Sequence, residues 1–460
     1  MVSTSSKWHV NSLFLSSPEV HLSYGHLFGF TALLRDKLND AADTPIRQIV
    51  LLLSPGEISA AIIAACWLLN ITFVPLSTRW TRKEIQSRLN QVDYQLIIST
   101  RDVKSKFLSG KEPVLLADDN WLTTADIQES NFLDSRTDPN PESIFARLFT
   151  SGSSGTPKLV PLKRRQMQTA AKSAERNFSL LPDELWLLCL PLYHIGGISI
   201  ILRSLIYGSG IFYSYPFDGN QVAKSLSENH QIKAVSLVPT MLRRLQQKNL
   251  AEIHPEFKGV LLGGGPVNKK LLSHSIDTNL PLYLSYGMTE TCAQIAAARV
   301  NKAGNDDDTG LNIFEPNECQ IRNDDQREMH TGETGLIWLK GPQVFDGYEQ
   351  NELNKKAFDK SGWFLTDDYG YKDEAGRLHI ENRRSDIIIT GGENVDVREV
   401  EEAIQSIKGI KEAAVLGLPD DYWGERVVAF IKTEAANKSL NTSKIRQNLQ
   451  QNLARYKIPK

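Results

Sequence analysis

"IVLLLSPGEISAAIIAACWLLNITFV", Ile49 to Val74, reads as an apolar strand (Ile49–Leu53), a turn at Ser54, Pro55 and Gly56, an Ala-rich helix (Glu57–Leu69) and a second apolar strand (Ile71–Val74). Strand, helix, strand is the unit from which a parallel sheet with crossover helices is built, and it places the chain in the α/β class. Ile58–Val74 is also the most apolar window of the chain, but Ser59, Asn70 and Thr72 interrupt it, so a buried helix and strand fit it better than a membrane span. A further run, Leu96–Ile98, follows a polar helix-like stretch. The rhythm resumes after Leu148 with "LWLLCL" near 185, "GIFYSY" near 210, "AVSLV" from 234, "GVLLGG" from 259 and "PLYLSYG" from 281. Several of these runs end in Gly, Pro or Ser, and ligands of open α/β sheets sit at such carboxyl ends of strands.

With 460 residues the chain exceeds one ordinary core and predicts a large domain plus at least one smaller one. The polar stretch Asn301–Glu328 reads as a surface excursion, followed by shorter β-rich segments near 336–348 and 378–389. After Arg384 the pattern restarts as strand, helix ("VREVEEAIQSI"), strand ("AAVLGLP"), strand ("ERVVAFIK") and helix ("SKIRQNLQQNL"), a small α+β domain. The expected division is 1–384 and 385–460. Lys and Arg number 52 against 54 Asp and Glu, for a formal net charge of -2 with no long block of either sign, which disfavours nucleic acid and anionic membrane as partners. Cys66, Cys189, Cys292 and Cys319 are widely separated and form no C-x-x-C pair, as expected of reduced thiols in a cytoplasmic protein without structural zinc. The first residues lack a basic start followed by a long apolar run, so no secretory signal is read there.

The chemistry is concentrated in "LFTSGSSGTPKLV", Leu148–Val160. It is not a Walker loop, because Pro157 stands where the second Gly is required. It nonetheless offers backbone N–H groups at Gly152 and Gly155, hydroxyls at Thr150, Ser151, Ser153, Ser154 and Thr156, and one ammonium at Lys158. Convergent donors of this kind can wrap an anion; a flexible surface loop is the competing reading.

"FTSGSSGTPKLV" resembles the phosphate loop of the acyl-adenylate-forming enzymes, the superfamily of acyl-CoA synthetases, peptide-synthetase adenylation domains and luciferases. Four more of that superfamily's signatures follow in order: "GGGP" at 263–266, "YGMTE" at 286–290, "GWFLTDD" at 362–368 and "NRRSDIIITGGENV" at 382–395. The resemblance spans nearly the whole chain. It implies a large N-terminal domain of layered, mostly parallel sheets with helices, and a small mobile C-terminal α+β domain. It also implies an ATP-, Mg²⁺- and CoA-dependent acid–thiol ligase, working through an acyl-adenylate.

Residue by residue, the resemblance implies that Thr150, Ser151, Gly152, Ser153, Gly155, Thr156 and Lys158 hold the β- and γ-phosphates. Thr289 would contact the α-phosphate, Glu290 would help hold Mg²⁺ and Tyr286 would stack on adenine. Gly263, Gly264 and Gly265 would let the backbone approach adenine and the acyl group. Asp368 would take the ribose hydroxyls with help from Arg383. Asp367 and Asn382 stand where the superfamily usually has Gly, which suggests altered local backbone. Ser385 and Asp386 match the hinge about which the small domain turns between adenylating and thioester-forming poses, and "GGENV", Gly391 to Val395 with Gly391 and Gly392 at its start, would approach the thiol tunnel in the second pose. Core packing for Tyr286 and a plain turn for either glycine string are the bland alternatives.

Within the superfamily the closest resemblance is to the o-succinylbenzoate–CoA ligases of menaquinone or phylloquinone biosynthesis, on "LPLYHIGGISIILRSLIYGSGI" from 190, "SLVPTMLRRL" from 236, "LLGGGPV" from 261 and "SYGMTETCAQI" from 285. That substrate has two carboxylates, one activated and one held idle, so the pocket needs room for a ring and donors for an anion. His194, Gly196, Gly197, Ser199 and Gly263–Gly265 are the candidate lining, with His194 an aromatic gate or orienting donor. Thr291 and Gln294 are further polar candidates, and Arg203 is either a source of charge or a structural Arg. A ligase for another aryl or medium-chain acid, and a catalytically silent nucleotide-binding regulator, stay open as alternatives. The partners implied are small molecules, with self-association as the one protein partner in view. Relatives continue past the equivalent of "LARYKIPK" into a segment carrying an adenylation Lys, a role that neither Lys457 nor Lys460 takes over. A chain ending at Lys460 is expected to adenylate several orders of magnitude more slowly, while thioester formation from supplied acyl-adenylate survives better.

Overall fold

A computed structural model describes residues 8–125, 127, 140–150, 157–248, 253–265, 267, 269–300, 310–383, 387–433 and 441–460. The expected domain boundary at 384/385 and the hinge pair Ser385 and Asp386 lie outside the described residues, as do Ser151–Thr156. The opening βαβ unit forms as read: strand Gln48–Leu52, helix Glu57–Leu69 and strand Thr72–Pro75, with the two strands parallel. Asn70, in the left-handed conformation at φ 55, ends the helix, its N–H reaching back to Cys66 O and Trp67 O. The helix is buried along nearly its whole length, which explains a sequence apolar on every side. No helix of the described residues is long and apolar enough to cross a membrane.

These strands sit in a six-stranded sheet, closed at one edge by Ile144–Thr150 and its antiparallel partner Lys158–Lys163. A nine-stranded sheet carries the later apolar runs: Leu185–Leu188, Gly210–Tyr213, Ile232–Leu237, Gly259–Leu262 and Leu282–Met288 are parallel neighbours. Helices Glu57–Leu69 and Ile195–Tyr207 pack between the two sheets, in one continuous apolar core. Two further sheets of four strands each are wholly antiparallel: 318–383, and the C-terminal 387–433. Asn301–Glu328 therefore is not all surface excursion. Glu318–Arg322 is a strand whose alternate residues Cys319 and Ile321 point into the core, a pattern hidden by the polar residues around it.

The C-terminal sheet has its own core, built from Ile388, Val395, Val400, Ile404, Val415 and Val427 with helices Val397–Gln405 and Thr442–Leu449. It docks on the large domain partly through Lys457, whose ammonium, 3 % exposed, meets Glu84 Oε1 at 2.7 Å and both oxygens of Glu399 at 2.8 and 2.9 Å. Glu84 belongs to the large domain, where its other oxygen accepts from Thr81 N and Oγ1 to cap helix Arg82–Leu89. Replacing Lys457 by Met removes the cation that both carboxylates touch and leaves only the nearby Arg88 guanidinium to offset them, a loss of about 3 kcal/mol for a buried group. Lys457→Met is expected to undock the small domain, measured as a larger radius of gyration in solution scattering. Adding Glu84→Gln should restore part of the compact form.

Candidate active site

A cleft of about 1150 Å³ runs between the two domains at the carboxyl ends of the nine-stranded sheet. On one wall of the cleft Thr150 ends one strand and Lys158 begins the next, directly opposite in register. Thr150 Oγ1 is buried with no hydrogen-bond partner among the described residues, so a donor is held ready beside the Ser151–Thr156 segment. The turn Thr289–Thr291 follows strand Leu282–Met288 and puts Thr289 and Glu290 on the cleft wall. Glu290 is buried, and its Oε1 accepts from Tyr348 OH at 2.9 Å.

Tyr286 and Asp368 meet on the same wall, the phenol donating to Asp368 Oδ2 at 2.7 Å. Burial and the adjacent carboxylate push the phenol well above its ordinary pKa, so Tyr286 remains the donor. Arg383 stands opposite Asp368 in the register of strands Phe364–Lys372 and Leu378–Arg383. Asp367 adopts φ +64, a conformation natural to glycine, while staying within its strand. The pairing with the neighbouring strand slips at this point, Leu336 facing Tyr369 and Trp338 facing Leu365, so the backbone is locally altered as expected, at about 1 kcal/mol of strain.

Another wall of the cleft is formed by helix Ile195–Tyr207, entered at His194. Gly196, Gly197, Ser199 and Arg203 line the cleft along it, and Gly263, Gly264 and Gly265 face them from the end of strand Gly259–Leu262. A Cβ on Gly197 would lie 2.4 Å from Pro191 O, so this glycine is required by the close approach of the preceding turn, not by ligand access alone. Arg203 is buried: Nε donates to Ser199 O at 3.1 Å, Nη2 to Ser199 Oγ at 2.7 Å, and the guanidinium stacks 4.3 Å above Trp186. Its Nη1 has no partner and no carboxylate pairs with it among the described residues. Gln294, on the neighbouring strand Ala293–Arg299, has the same feature: Oε1 accepts from Asn177, while Nε2 is buried and unpartnered. Arg203 and Gln294 also share the wall of a small cavity of about 10 Å³ between the helices. Thr291 does not contribute a free hydroxyl. Its Oγ1 is used by Met288 and Ala293 to hold the turn.

The small domain closes the cleft with Gly391, Gly392 and Glu393. Gly391 N donates to Trp423 O at 2.8 Å, and Gly392 lies against Val238 of the large domain. Glu393 is buried among large-domain groups: Arg79 Nη1 at 2.6 Å, Tyr193 OH at 3.2 Å and His194 Nε2 at 3.0 Å. Burial alone would raise its pKa; His194, Arg79 and Tyr193 more than reverse that and hold it at about 2. Arg79, Tyr193 and Tyr348 are absent from the sequence-based set, and Glu393 entered it only within the string "GGENV". Glu393 had a local signal, a carboxylate directly after two glycines at the start of a strand; the other three are recognisable only by what they touch.

The AMP-binding enzyme family model matches residues 15–349, and the model of the AMP-binding enzyme C-terminal domain matches residues 399–460. A 2-succinylbenzoate–CoA ligase of Listeria monocytogenes serotype 4b (strain F2365) is 35% identical over 389 residues, covering 84% of this chain and 78% of its own. Two solved structures of o-succinylbenzoate CoA synthetase from Bacillus subtilis are each 27% identical to this chain. A double mutant with the product analogue OSB-NCoA superposes with a TM-score of 0.88, over 98% of this chain and 91% of that one. The complex with the acyl-adenylate intermediate OSB-AMP gives 0.72, over 97% and 90%. By the match of both family models in sequence order, and by a fold and cleft that agree with them, the chain belongs to the AMP-binding enzyme family.

Proposed function

We infer that this chain is a 2-succinylbenzoate–CoA ligase. The aliphatic carboxylate of the acid attacks the α-phosphorus of ATP and pyrophosphate leaves. The CoA thiol then attacks the acyl carbon of the adenylate, AMP leaves and a thioester remains. The observation that carries the choice of acid is the buried, unpartnered Nη1 of Arg203 beside the unpartnered Nε2 of Gln294. A buried cation without a counter-charge is costly, and the idle aromatic carboxylate would supply that counter-charge. Ser199 then acts through Arg203, holding the guanidinium by both of its oxygens.

Thr150, Lys158 and Ser151–Thr156 take the β- and γ-phosphates, Thr289 the α-phosphate, and Asp368 with Arg383 the ribose. Tyr286, bonded to Asp368, offers its ring to adenine. Among the described residues no three His, Cys, Asp or Glu side chains lie together as a metal cage. A single carboxylate at Glu290 fits a Mg²⁺ held jointly with phosphate oxygens, where the cation supplies charge neutralisation. Thus the chain's own residues fix the phosphates, keep the idle carboxylate from reacting and exclude water by closing the small domain. The closer superposition on the product-analogue complex supports assigning the docked pose to the thioester step. In that pose Glu393 draws His194 toward the small domain, consistent with an orienting part for this imidazole. Four buried, unpaired cysteines suit a reducing cytoplasm.

The test is to supply o-succinylbenzoate, ATP, Mg²⁺ and CoA and follow pyrophosphate and CoA thioester separately, with benzoate and hexanoate as comparison acids. Both products are expected with o-succinylbenzoate alone. Equal turnover of the other acids would point to a ligase of different specificity, and ATP binding with neither pyrophosphate from any acid nor thioester from supplied o-succinylbenzoyl-adenylate to a silent regulator.

A further inference from the structure

Tyr348 lies in the loop between strand Gly335–Lys340 and helix Asn351–Ala357, and it touches both halves of the phosphate side of the cleft. Its hydroxyl donates to Glu290 Oε1 at 2.9 Å, and its ring lies 5.0 Å from the Lys158 ammonium, within cation–π range. The loop around it is fastened to the same two elements. Phe345 N donates to Glu290 O at 2.8 Å, Glu349 N donates to Leu159 O at 3.1 Å, and Arg147 pairs with Glu349 at 2.7 Å. Asn354 clamps the backbone of Tyr348 from both sides, accepting its N–H at 2.7 Å and donating to its carbonyl at 2.9 Å. Gly347, at φ +135, leaves room for that clamp, since a Cβ there would lie 2.9 Å from Asn354 Oδ1. Such a frame specifies where the hydroxyl is, whereas filling the core would need only the ring, which packs edge-on to Phe345.

We propose that Tyr348 is a positioning residue for adenylation, fixing the Glu290 carboxylate that would help hold Mg²⁺ and seating the Lys158 ammonium on the same wall of the cleft. The proposal rests on the ligase reading above. Partners that orient a metal-binding carboxylate typically matter by about 10–100-fold in metal affinity or activity. Thioester formation makes no use of the cation, so it should be spared.

The experiment uses the full chain and Tyr348→Phe, which keeps the ring and removes one hydroxyl. ATP binding is titrated by calorimetry at rising Mg²⁺, and each half-reaction is followed in a single turnover. For Tyr348→Phe the half-saturating Mg²⁺ is expected to rise about tenfold and pyrophosphate release to fall about tenfold. Thioester formation from supplied o-succinylbenzoyl-adenylate should stay within about twofold. Tyr348→Leu should in addition weaken ATP binding without Mg²⁺, because Lys158 loses its ring. An unchanged Mg²⁺ requirement in Tyr348→Phe, or equal losses in both half-reactions, overturns the proposal while the ligase reading stands. A wild-type chain that binds no ATP overturns both.

Discussion

Arg203→Leu is expected to lower kcat/KM for o-succinylbenzoate by about a thousandfold, or ~4 kcal/mol, the loss associated with breaking a buried charge pair. Burial pulls the guanidinium's pKa down to about 10, which leaves it charged at neutral pH. In the unliganded protein that charge is met by the Trp186 ring and the Ser199 oxygens but by no carboxylate among the described residues, so it has no counter-charge until an anion enters. The comparison acid is 3-benzoylpropionate, which keeps the reacting aliphatic carboxylate and lacks the aromatic one. Its kcat/KM should start low and change little in Arg203→Leu. A similar fold-loss with both acids would mean that Arg203 only supports Trp186 and the helix. The unliganded variant should also melt no lower than wild type, since leucine removes a desolvated charge from an apolar neighbourhood. Binding and stability are then opposed at this position.

Glu393→Gln is expected to slow thioester formation from supplied o-succinylbenzoyl-adenylate by about a hundredfold, while adenylation changes by less than about threefold. The carboxylate belongs to the small domain, and its partners Arg79, Tyr193 and His194 belong to the large one. The contact exists only when the domains are docked as seen here, so its loss falls on the step that uses this pose. The carboxylate's pKa is held at about 2 in the docked form, against an ordinary 4.5. A depressed carboxylate stabilises the form that depresses it at every pH above its ordinary value, and that stabilisation fades as pH falls toward the depressed one. Docking should therefore be strong at neutral pH and weaken between about 4.5 and 2, by about 3 kcal/mol in total. Solution scattering across that window should show wild type opening as the acid is added. Glu393→Gln should already be open and should respond far less.

Local chemistry made much of this protein legible in its sequence. The apolar runs, the αL Asn70 that stops the first crossover helix and the turn residues after each strand act within a few positions of one another, so helix Glu57–Leu69 and the succession of strands along the chain could be read directly, though not their order within the sheets. The signature strings named Lys158, Thr289, Glu290 and Asp368, which line one cleft: Thr289 and Glu290 follow the carboxyl end of strand Leu282–Met288, while strands Lys158–Lys163 and Phe364–Lys372 bring the other two from separate sheets. Arg203 was visible as a lone charge in an apolar helical run, but its orphaned Nη1 was not, since that depends on what is missing around it. The strand Glu318–Arg322 was hidden because its inward face holds only two apolar residues, Cys319 and Ile321. What tertiary structure alone decided is the set of contacts between distant elements. Glu393 lies 314 residues from Arg79, Lys457 lies 373 from Glu84, and Tyr348 lies 58 from Glu290. Such pairs leave no periodicity and no turn signal, because each partner is chosen by where the chain returns in space rather than by its neighbours in sequence.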